Sequence, residues 1–314
     1  MRKVRVGVVG VGYLGEHHAR LYADLPGAEL VGVCDLDADR AAAVAKKYGT
    51  RAFASPAELS REVEAASVVV TTRDHVSVAV PLLDGGIDLL VEKPLAATVA
   101  EAREIVEAAD RGGRILQVGH LERFNGAVRA LAPLVRQPRF IEAHRLGPFV
   151  ERAADVSVVT DLMVHDLDIL LAIVPGEIRS ILAVGTRVVS DHIDIANARI
   201  EFDSGCVANV TASRVSPEKQ RRIRIFEPDA YMALDYARQE IEVYRKQAPL
   251  APGGRAQIVR ETVHVEKGES LREELIAFLD AVRERKAPIV SGRDGLRALV
   301  LAEEIEMRIG QSCK

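Results

Sequence analysis

VRVGVVGVGYLGEHHARLYADLPGAELVGVCD, running from Val4 to Asp35, decides the fold of this chain. Val6 to Val9 is an apolar run that reads as a strand, and Gly10, Gly12 and Gly15 follow it in the spacing G-x-G-x-x-G. Leu14 to Ala23 then reads as a helix, and a second apolar run, Leu30 to Cys34, ends on Asp35. Each glycine answers a separate demand: Gly10 the tight turn, Gly12 the approach of a pyrophosphate to the backbone, Gly15 the packing of helix against sheet. A diphosphate is expected at the helix start, where amide N–H groups lack intrahelical partners and the helix dipole favours negative charge. The Asp35 carboxylate can accept bonds from free ribose hydroxyls and would repel a 2′-phosphate, so the expected dinucleotide is NAD rather than NADP. Asp35 is equally suited to cap the Ala-rich helix that follows, whatever binds nearby.

Outward from this stretch, helical and apolar segments alternate. Ala38 to Tyr48 reads as a helix, Arg51 to Ala54 as a short strand, and Ser55-Pro56 as a helix start. Strands are expected at Ala66 to Thr72, Ile87 to Val91 and Ile115 to Val118, separated by helices at Ser77 to Leu83 and Thr98 to Arg111. Alternation of this kind implies a parallel sheet covered on both faces. Residues 1–120 are therefore expected to form an α/β Rossmann domain that binds NAD.

Beyond Gly119 the pattern changes. Helices are expected at Asn125 to Leu134 and Thr160 to Ile173, and strands at Arg139 to Leu146, Ile178 to Val189, Ile193 to Phe202 and Cys206 to Ser213. The turn Asp203-Ser204-Gly205 joins the last two as antiparallel neighbours. Further strands are expected at Arg222 to Phe226, Ile241 to Tyr244 and Glu261 to Val265, with an exposed loop at Lys246 to Ala256. Leu271, Leu275, Phe278 and Val282 recur at helical spacing within Ser270 to Arg285. Residues 121–290 thus read as an α+β domain with a largely antiparallel open sheet, for substrate binding and oligomerisation. Residues 291–314 add a C-terminal helix, Gly295 to Met307, packing back on the body.

Of the 314 residues, 42 are Lys or Arg and 46 are Asp or Glu, a formal charge of −4 that calls for no nucleic-acid partner. No N-terminal targeting pattern and no run of eighteen apolar residues is present, so no membrane span is expected and the cytoplasm is the expected compartment. Cys34, Cys206 and Cys313 have neither disulfide nor metal-site spacing.

Two clusters can do chemistry. Glu92-Lys93-Pro94 directly follows the strand ending at Val91, and ligands of open α/β sheets sit beyond the carboxyl ends of strands. A lysine there can stabilise developing negative charge on an alcohol oxygen. The bland reading is a surface lysine beside a loop proline. In TDLMVHDLDILL, Asp161, His165 and Asp168 are four and three residues apart and share one helical face. A histidine can exchange a proton with an alcohol while a carboxylate orients its ring. Asp166 lies off that face, as a solvent-facing or supporting carboxylate. Helix capping by Asp161 and an Asp/His metal site are the rival readings, and no metal is expected because a third convergent ligand is missing.

The glycine fingerprint, Glu92-Lys93-Pro94 and the Asp161-x-x-x-His165 pair, in that order, resemble the glucose–fructose oxidoreductase/inositol dehydrogenase group, Gfo/Idh/MocA, over almost the whole chain. The resemblance implies Lys93, Asp161 and His165 as catalytic residues and a cis bond before Pro94. It implies cofactor contacts from Gly10, Gly12, Tyr13, Leu14, Gly15 and Asp35, and from Thr71, His75, Glu92 and Lys93. Within the group, GHLERFNGAV (Gly119 to Val128) and the Asp161 segment most resemble bacterial 3-dehydrogenases of UDP-N-acetylglucosamine or its uronic acid, with Gly126 where proline is usual. That reading adds Arg123 and Asn125 as contacts to sugar or diphosphate oxygens, beside Lys93, Asp161, His165 and Asp168. The bland reading of Arg123 and Asn125 is a capped helix entry, and Arg145, Arg187 and Arg214 are weaker candidates. The expected activity is NAD-dependent oxidation of a sugar secondary alcohol, C3 of a UDP-sugar first, by a homodimer or homotetramer. A free sugar or inositol as substrate, or a nonenzymatic NAD(H) sensor, are the alternatives.

Overall fold

In the computed structural model, which describes residues 2–150, 156–248 and 255–312, six strands form a parallel sheet: β1 (Val4–Val9), β2 (Ala28–Cys34), β3 (Arg51–Phe53), β4 (Ala65–Val68), β5 (Asp88–Glu92) and β6 (Leu116–Gly119). Their order is β3-β2-β1-β4-β5-β6, which reverses direction between β1 and β4. A reversal of this kind opens a crevice beyond the strand ends, the place where dinucleotides bind. The connecting helices are α1 (Tyr13–Asp24), α2 (Ala38–Tyr48), α3 (Pro56–Ser60), α4 (His75–Asp84) and α5 (Val99–Gly112).

Local chemistry fixes where these helices begin. The Ser55 hydroxyl accepts from the Glu58 amide (3.2 Å) ahead of Pro56, whose missing N–H costs nothing at a first turn. Thr98 and Glu101 form a reciprocal capping box, with bonds of 3.2 and 3.0 Å. The strand expected at Ala66 to Thr72 ends early, at Val68. Thr71 instead opens a 3-10 turn, its hydroxyl bonded to the Asp74 carboxylate.

The second sheet has eight strands: β7 (Phe140–Leu146), β8 (Ile178–Thr186), β9 (Ile195–Phe202), β10 (Val207–Ser213), β11 (Gln220–Phe226), β12 (Ala230–Asp235), β13 (Glu240–Gln247) and β14 (Gln257–Glu261). They run in the order β14-β13-β12-β11-β7-β10-β9-β8, antiparallel throughout except for the β7–β10 pair. The helices α6 (Gly126–Leu131) and α7 (Val164–Ile173) supply Ala127, Val128, Leu131, Leu167 and Leu170 to a core shared with Ile141, Ile200, Val210, Ile223 and Met232 of the strands. Two further helices, α8 (Ser270–Glu284) and α9 (Gly292–Ser312), complete the chain.

The chain divides into two compact units, Met1–Leu121 with Glu269–Leu299, and Glu122–Gly268 with Val300–Lys314. This corrects the expected boundary: α8 belongs to the first unit. Leu271, Leu275, Phe278 and Val282 are buried with Val4, Leu21, Tyr22 and Leu25, and the Gln117 amide donates to the Glu274 carbonyl at 3.1 Å. An apolar helical stripe announces a buried face without saying which core receives it. α9 has its residues through Leu299 in the first unit and those from Val300 in the second, where Leu301, Ala302, Ile305 and Ile309 enter the core.

β12 was not expected, and β14 lies earlier than the strand expected at Glu261 to Val265. After Glu261 the chain leaves the ladder and runs past α6, where a Cβ on Gly126 would fall 2.0 Å from the Glu266 carbonyl oxygen. Gly126 therefore stands where only a residue without Cβ fits. Of the loop expected at Lys246 to Ala256, residues 249–254 lie outside the described residues, as does Cys313.

Candidate active site

The glycine loop has the shape its spacing predicts. Gly10 adopts φ +86°, and a Cβ on it would lie 2.4 Å from the Val69 carbonyl oxygen, so turn and neighbour both demand glycine. A Cβ on Gly15 would sit 1.9 Å from the Gly10 carbonyl oxygen, so α1 lies directly on the loop. At Gly12 an added Cβ meets no atom within 4 Å, which leaves open space over the backbone at the start of α1. Tyr13, 74% exposed, and exposed Leu14 border that space.

Asp35 closes the loop from β2. Its Oδ2 accepts from the Val11 amide at 2.7 Å, and its Oδ1 from the Asp37 amide at 2.9 Å and Arg40 at 3.3 Å. The cap of α2 is Asp37, which accepts from the Arg40 amide at 3.0 Å, so capping does not account for Asp35. A carboxylate offers about four acceptor sites, which leaves capacity for a ribose hydroxyl. Open backbone at Gly12, the exposed helix start and this carboxylate fit NAD.

Lys93 is held from three sides. Glu92 is buried at the end of β5, its Oε1 3.1 Å from His18 Nε2 and its Oε2 accepting the Lys93 amide at 3.2 Å. β6 approaches so closely that a Cβ on Gly119 would lie 2.7 Å from Glu92 Oε2. His75, 1% exposed, stands between the Leu95 carbonyl (3.1 Å from Nδ1) and the Val70 carbonyl (3.2 Å from Nε2). Burial holds its pKa below the ordinary histidine value, against the pull of both carbonyls. Glu92 and His75, expected as cofactor contacts, brace the loop that carries half-exposed Lys93. The Lys93–Pro94 bond is cis.

Asp161 lies in a π-helical turn, Val159–Met163, that runs straight into α7 and His165. Such turns inside helices recur at functional sites. Both side chains are half-buried and line one cavity of about 930 Å³ within the second unit. Asp168 does not line it; the residue is buried and its Oδ1 lies 3.4 Å from Arg123 Nη1. The Asn125 Oδ1 caps α6 through the Ala127 amide (3.0 Å), the capped helix entry that the sequence offered, and its Nδ2 donates to the Tyr236 carbonyl (3.0 Å).

Sequence reasoning missed the ion pairs under this cavity. Asp166, fully buried, accepts from Arg145 Nε at 2.8 Å and Nη2 at 3.1 Å, while Arg145 Nη1 reaches Glu122 at 2.9 Å. Burial opposes the Arg145 charge, yet these two carboxylates hold its pKa well above the ordinary range. Arg214 is likewise buried against Asp194, 2.8 Å from its Oδ1. Burial alone would raise Asp194, but the Val188 and Val189 amides, Ser190 and Arg214 outweigh it and hold the carboxyl well below the usual range. Arg187 is exposed. The one available signal was charge on the inward positions of β7, where Arg145 alternates with Ile141 and Ala143. Among the described residues no three His, Cys, Asp or Glu side chains gather as a metal would require, and no helix is long and apolar enough to cross a membrane.

Residues 4–120 match the oxidoreductase family with an NAD-binding Rossmann fold, and residues 122–230 match the GFO/IDH/MocA C-terminal domain. The chain is 36% identical over 310 residues to the UDP-N-acetylglucosamine 3-dehydrogenase of Acidithiobacillus ferrooxidans, covering 98% of each chain. A solved structure of that enzyme superposes with a TM-score of 0.91 over 98% of both chains. The myo-inositol 2-dehydrogenase of Thermotoga maritima is 25% identical, with 95% of this chain and 94% of that protein covered. Fingerprint, sheet order and both matched domains agree: the chain belongs to the GFO/IDH/MocA oxidoreductase family and carries its NAD-binding Rossmann fold.

Proposed function

We propose that this protein is a dehydrogenase that oxidises the C3 hydroxyl of a UDP-linked N-acetylhexosamine, UDP-N-acetylglucosamine or its uronate, using NAD. The observation that carries the reading is the 36% identity to a UDP-N-acetylglucosamine 3-dehydrogenase along 98% of both chains. The cavity holding Asp161 and His165 supports it, since about 930 Å³ is at the upper end of the ~300–1,000 Å³ typical of small-molecule sites.

The roles follow from the chemistry of the side chains. NAD, when bound, supplies the acceptor for the hydride that leaves the alcohol carbon. Gly12, the start of α1 and Asp35 hold it by diphosphate and ribose. Lys93 stabilises the alkoxide character of the substrate oxygen, with its backbone fixed by Glu92, His18 and Gly119. His165 accepts the hydroxyl proton, and Asp161, one helical turn earlier, favours the cationic ring that results. Purified protein should form NADH with UDP-N-acetylglucosamine or its uronate and much less with myo-inositol or free N-acetylglucosamine, followed by absorbance at the reduced-nicotinamide band. Equal rates across that panel would refute the nucleotide-sugar assignment.

The protein is also proposed to work as a homo-oligomer. Leu182 and Val184 project from β8 on the sheet face opposite the core, 68% and 60% exposed, and a second copy covering that face would remove them from water. Light scattering at micromolar concentration should give at least twice the 34.1 kDa chain mass, and a monomer alone would contradict this.

A further inference from the structure

Six cationic side chains line the cavity of Asp161 and His165: Arg145, Arg214, Lys219, Arg221, Arg222 and Arg238. Three of them are already engaged. Arg145 is held by Asp166 and Glu122, Arg214 by Asp194, and Arg222 has its Nε 3.2 Å from Asp235. Arg145 and Arg214 have their donor forks occupied, and Arg222 is drawn to Asp235 through Nε. The remaining three, Lys219, Arg221 and Arg238, are exposed where they border the cavity, and the acidic side chains that share the lining with them are Asp161, Glu218 and Asp235.

We propose that Lys219, Arg221 and Arg238 form the subsite for the diphosphate of the nucleotide sugar, and that this subsite selects nucleotide-linked over free sugars. The inference rests on the reading of the substrate given above. It is separate from the contacts expected of Arg123 and Asn125, whose side chains bond to Asp168 and to the cap of α6. The three side chains spring from fixed backbone. Arg221 sits in the β11 ladder opposite Arg145, and its carbonyl accepts the Tyr236 amide at 3.0 Å. Arg238 is pinned in its turn by a 3.0 Å bond from its amide to Asp235 Oδ1, and Lys219 leads directly into β11. Two arginine forks can each meet two phosphate oxygens at once, while Lys219 adds a point charge. Because the same cavity contains His165, a diphosphate held by these cations keeps the attached sugar in the cavity of the proton acceptor. A free sugar lacks the group these cations recognise.

The test is titration calorimetry of UDP into the full-length protein and its Lys219→Ala, Arg221→Ala and Arg238→Ala variants, singly and combined, with steady-state kinetics in parallel. The substituted side chains are exposed, so matching thermal melts will establish that each variant folds. UDP is expected to bind the unaltered protein. Each arginine substitution should weaken it by about tenfold or more, the size of a lost charge-assisted bond. The KM for UDP-N-acetylglucosamine should rise in step, with kcat and NADH affinity changing by less than about threefold. The UDP dissociation constant of the triple variant should also depend less steeply on salt. UDP binding by the triple variant as tight as by the unaltered protein overturns the subsite. If UDP-N-acetylglucosamine is turned over with unchanged KM by the triple variant, the subsite falls and the substrate reading stands. If UDP binds through these residues yet no nucleotide sugar is oxidised, the subsite stands and the substrate reading falls.

Discussion

Lys93→Met is expected to lower kcat by about 100- to 10,000-fold while the dissociation constant of NADH changes by less than about threefold. The size follows from how the residue is held. β5 is buried along its whole length, and Glu92 at its end cannot shift without breaking its contact with His18 and its bond from the Lys93 amide. The backbone that carries the ammonium is therefore fixed by bonds outside the lysine side chain, and a donor on fixed backbone needs less reorganisation at the moment of reaction than one on a mobile loop. Methionine retains the stem and removes the charge, so the fold and the dinucleotide loop, which stand on other residues, should be undisturbed. His165→Ala should show the same division between turnover and cofactor affinity. Stopped-flow rates with saturating substrate, with NADH fluorescence titrations, will separate chemistry from binding. Turnover within a few-fold of the unaltered protein in both variants would remove these residues from the mechanism.

The second large effect is on stability. Asp166→Ala should cost about 3–5 kcal/mol in urea unfolding, because it leaves the Arg145 guanidinium buried with two of its three bonds to carboxylates gone. Glu122 and the Tyr236 ring, 5.0 Å from the guanidinium carbon, remain as partial compensation. The cost lies mainly in the stranded charge rather than in the pair itself, which has a further consequence. The double variant Asp166→Ala with Arg145→Met should recover a good part of the loss, since it removes the two most deeply buried charges and leaves only the less buried Glu122 without its arginine. A single variant within about 1 kcal/mol of the unaltered protein, or a double variant no more stable than the single, would contradict this account of the second unit.

The parts of the fold legible from sequence were those whose signals are local. Strand, glycine spacing and terminal Asp35 mark a βαβ unit within thirty-two residues, and Ser55-Pro56 marks a helix start through a contact three residues on. Contacts that span the chain were not legible. Asp166 read as off the working face of its helix because its partner, Arg145, comes from a strand twenty-one residues away. Asn125 read both as a candidate ligand contact and as part of a capped helix entry, and its bond to Tyr236, 111 residues on, exists only once α6 is seated. α8 read as part of the second domain because it follows that domain's strands, although its apolar stripe completes the core of the first. β12 was missed because Ala230, Met232 and Leu234 face inward between weakly apolar neighbours, an alternation too shallow to stand out. At the site the same division holds: Gly10, Gly12, Gly15, Asp35, Lys93, Asp161 and His165 were singled out by motif and spacing, whereas the bonds by which His18, Glu92 and His75 brace the Lys93 loop exist only in the folded chain.

The most direct measurement is isotopic. UDP-N-acetylglucosamine carrying deuterium at C3 is incubated with the protein and NAD, and the reduced cofactor is analysed by mass spectrometry. Deuterium recovered in the nicotinamide ring, with the nucleotide sugar lighter by the label and one hydrogen, is the predicted result. Unlabelled NADH, or no NADH at all, would contradict it.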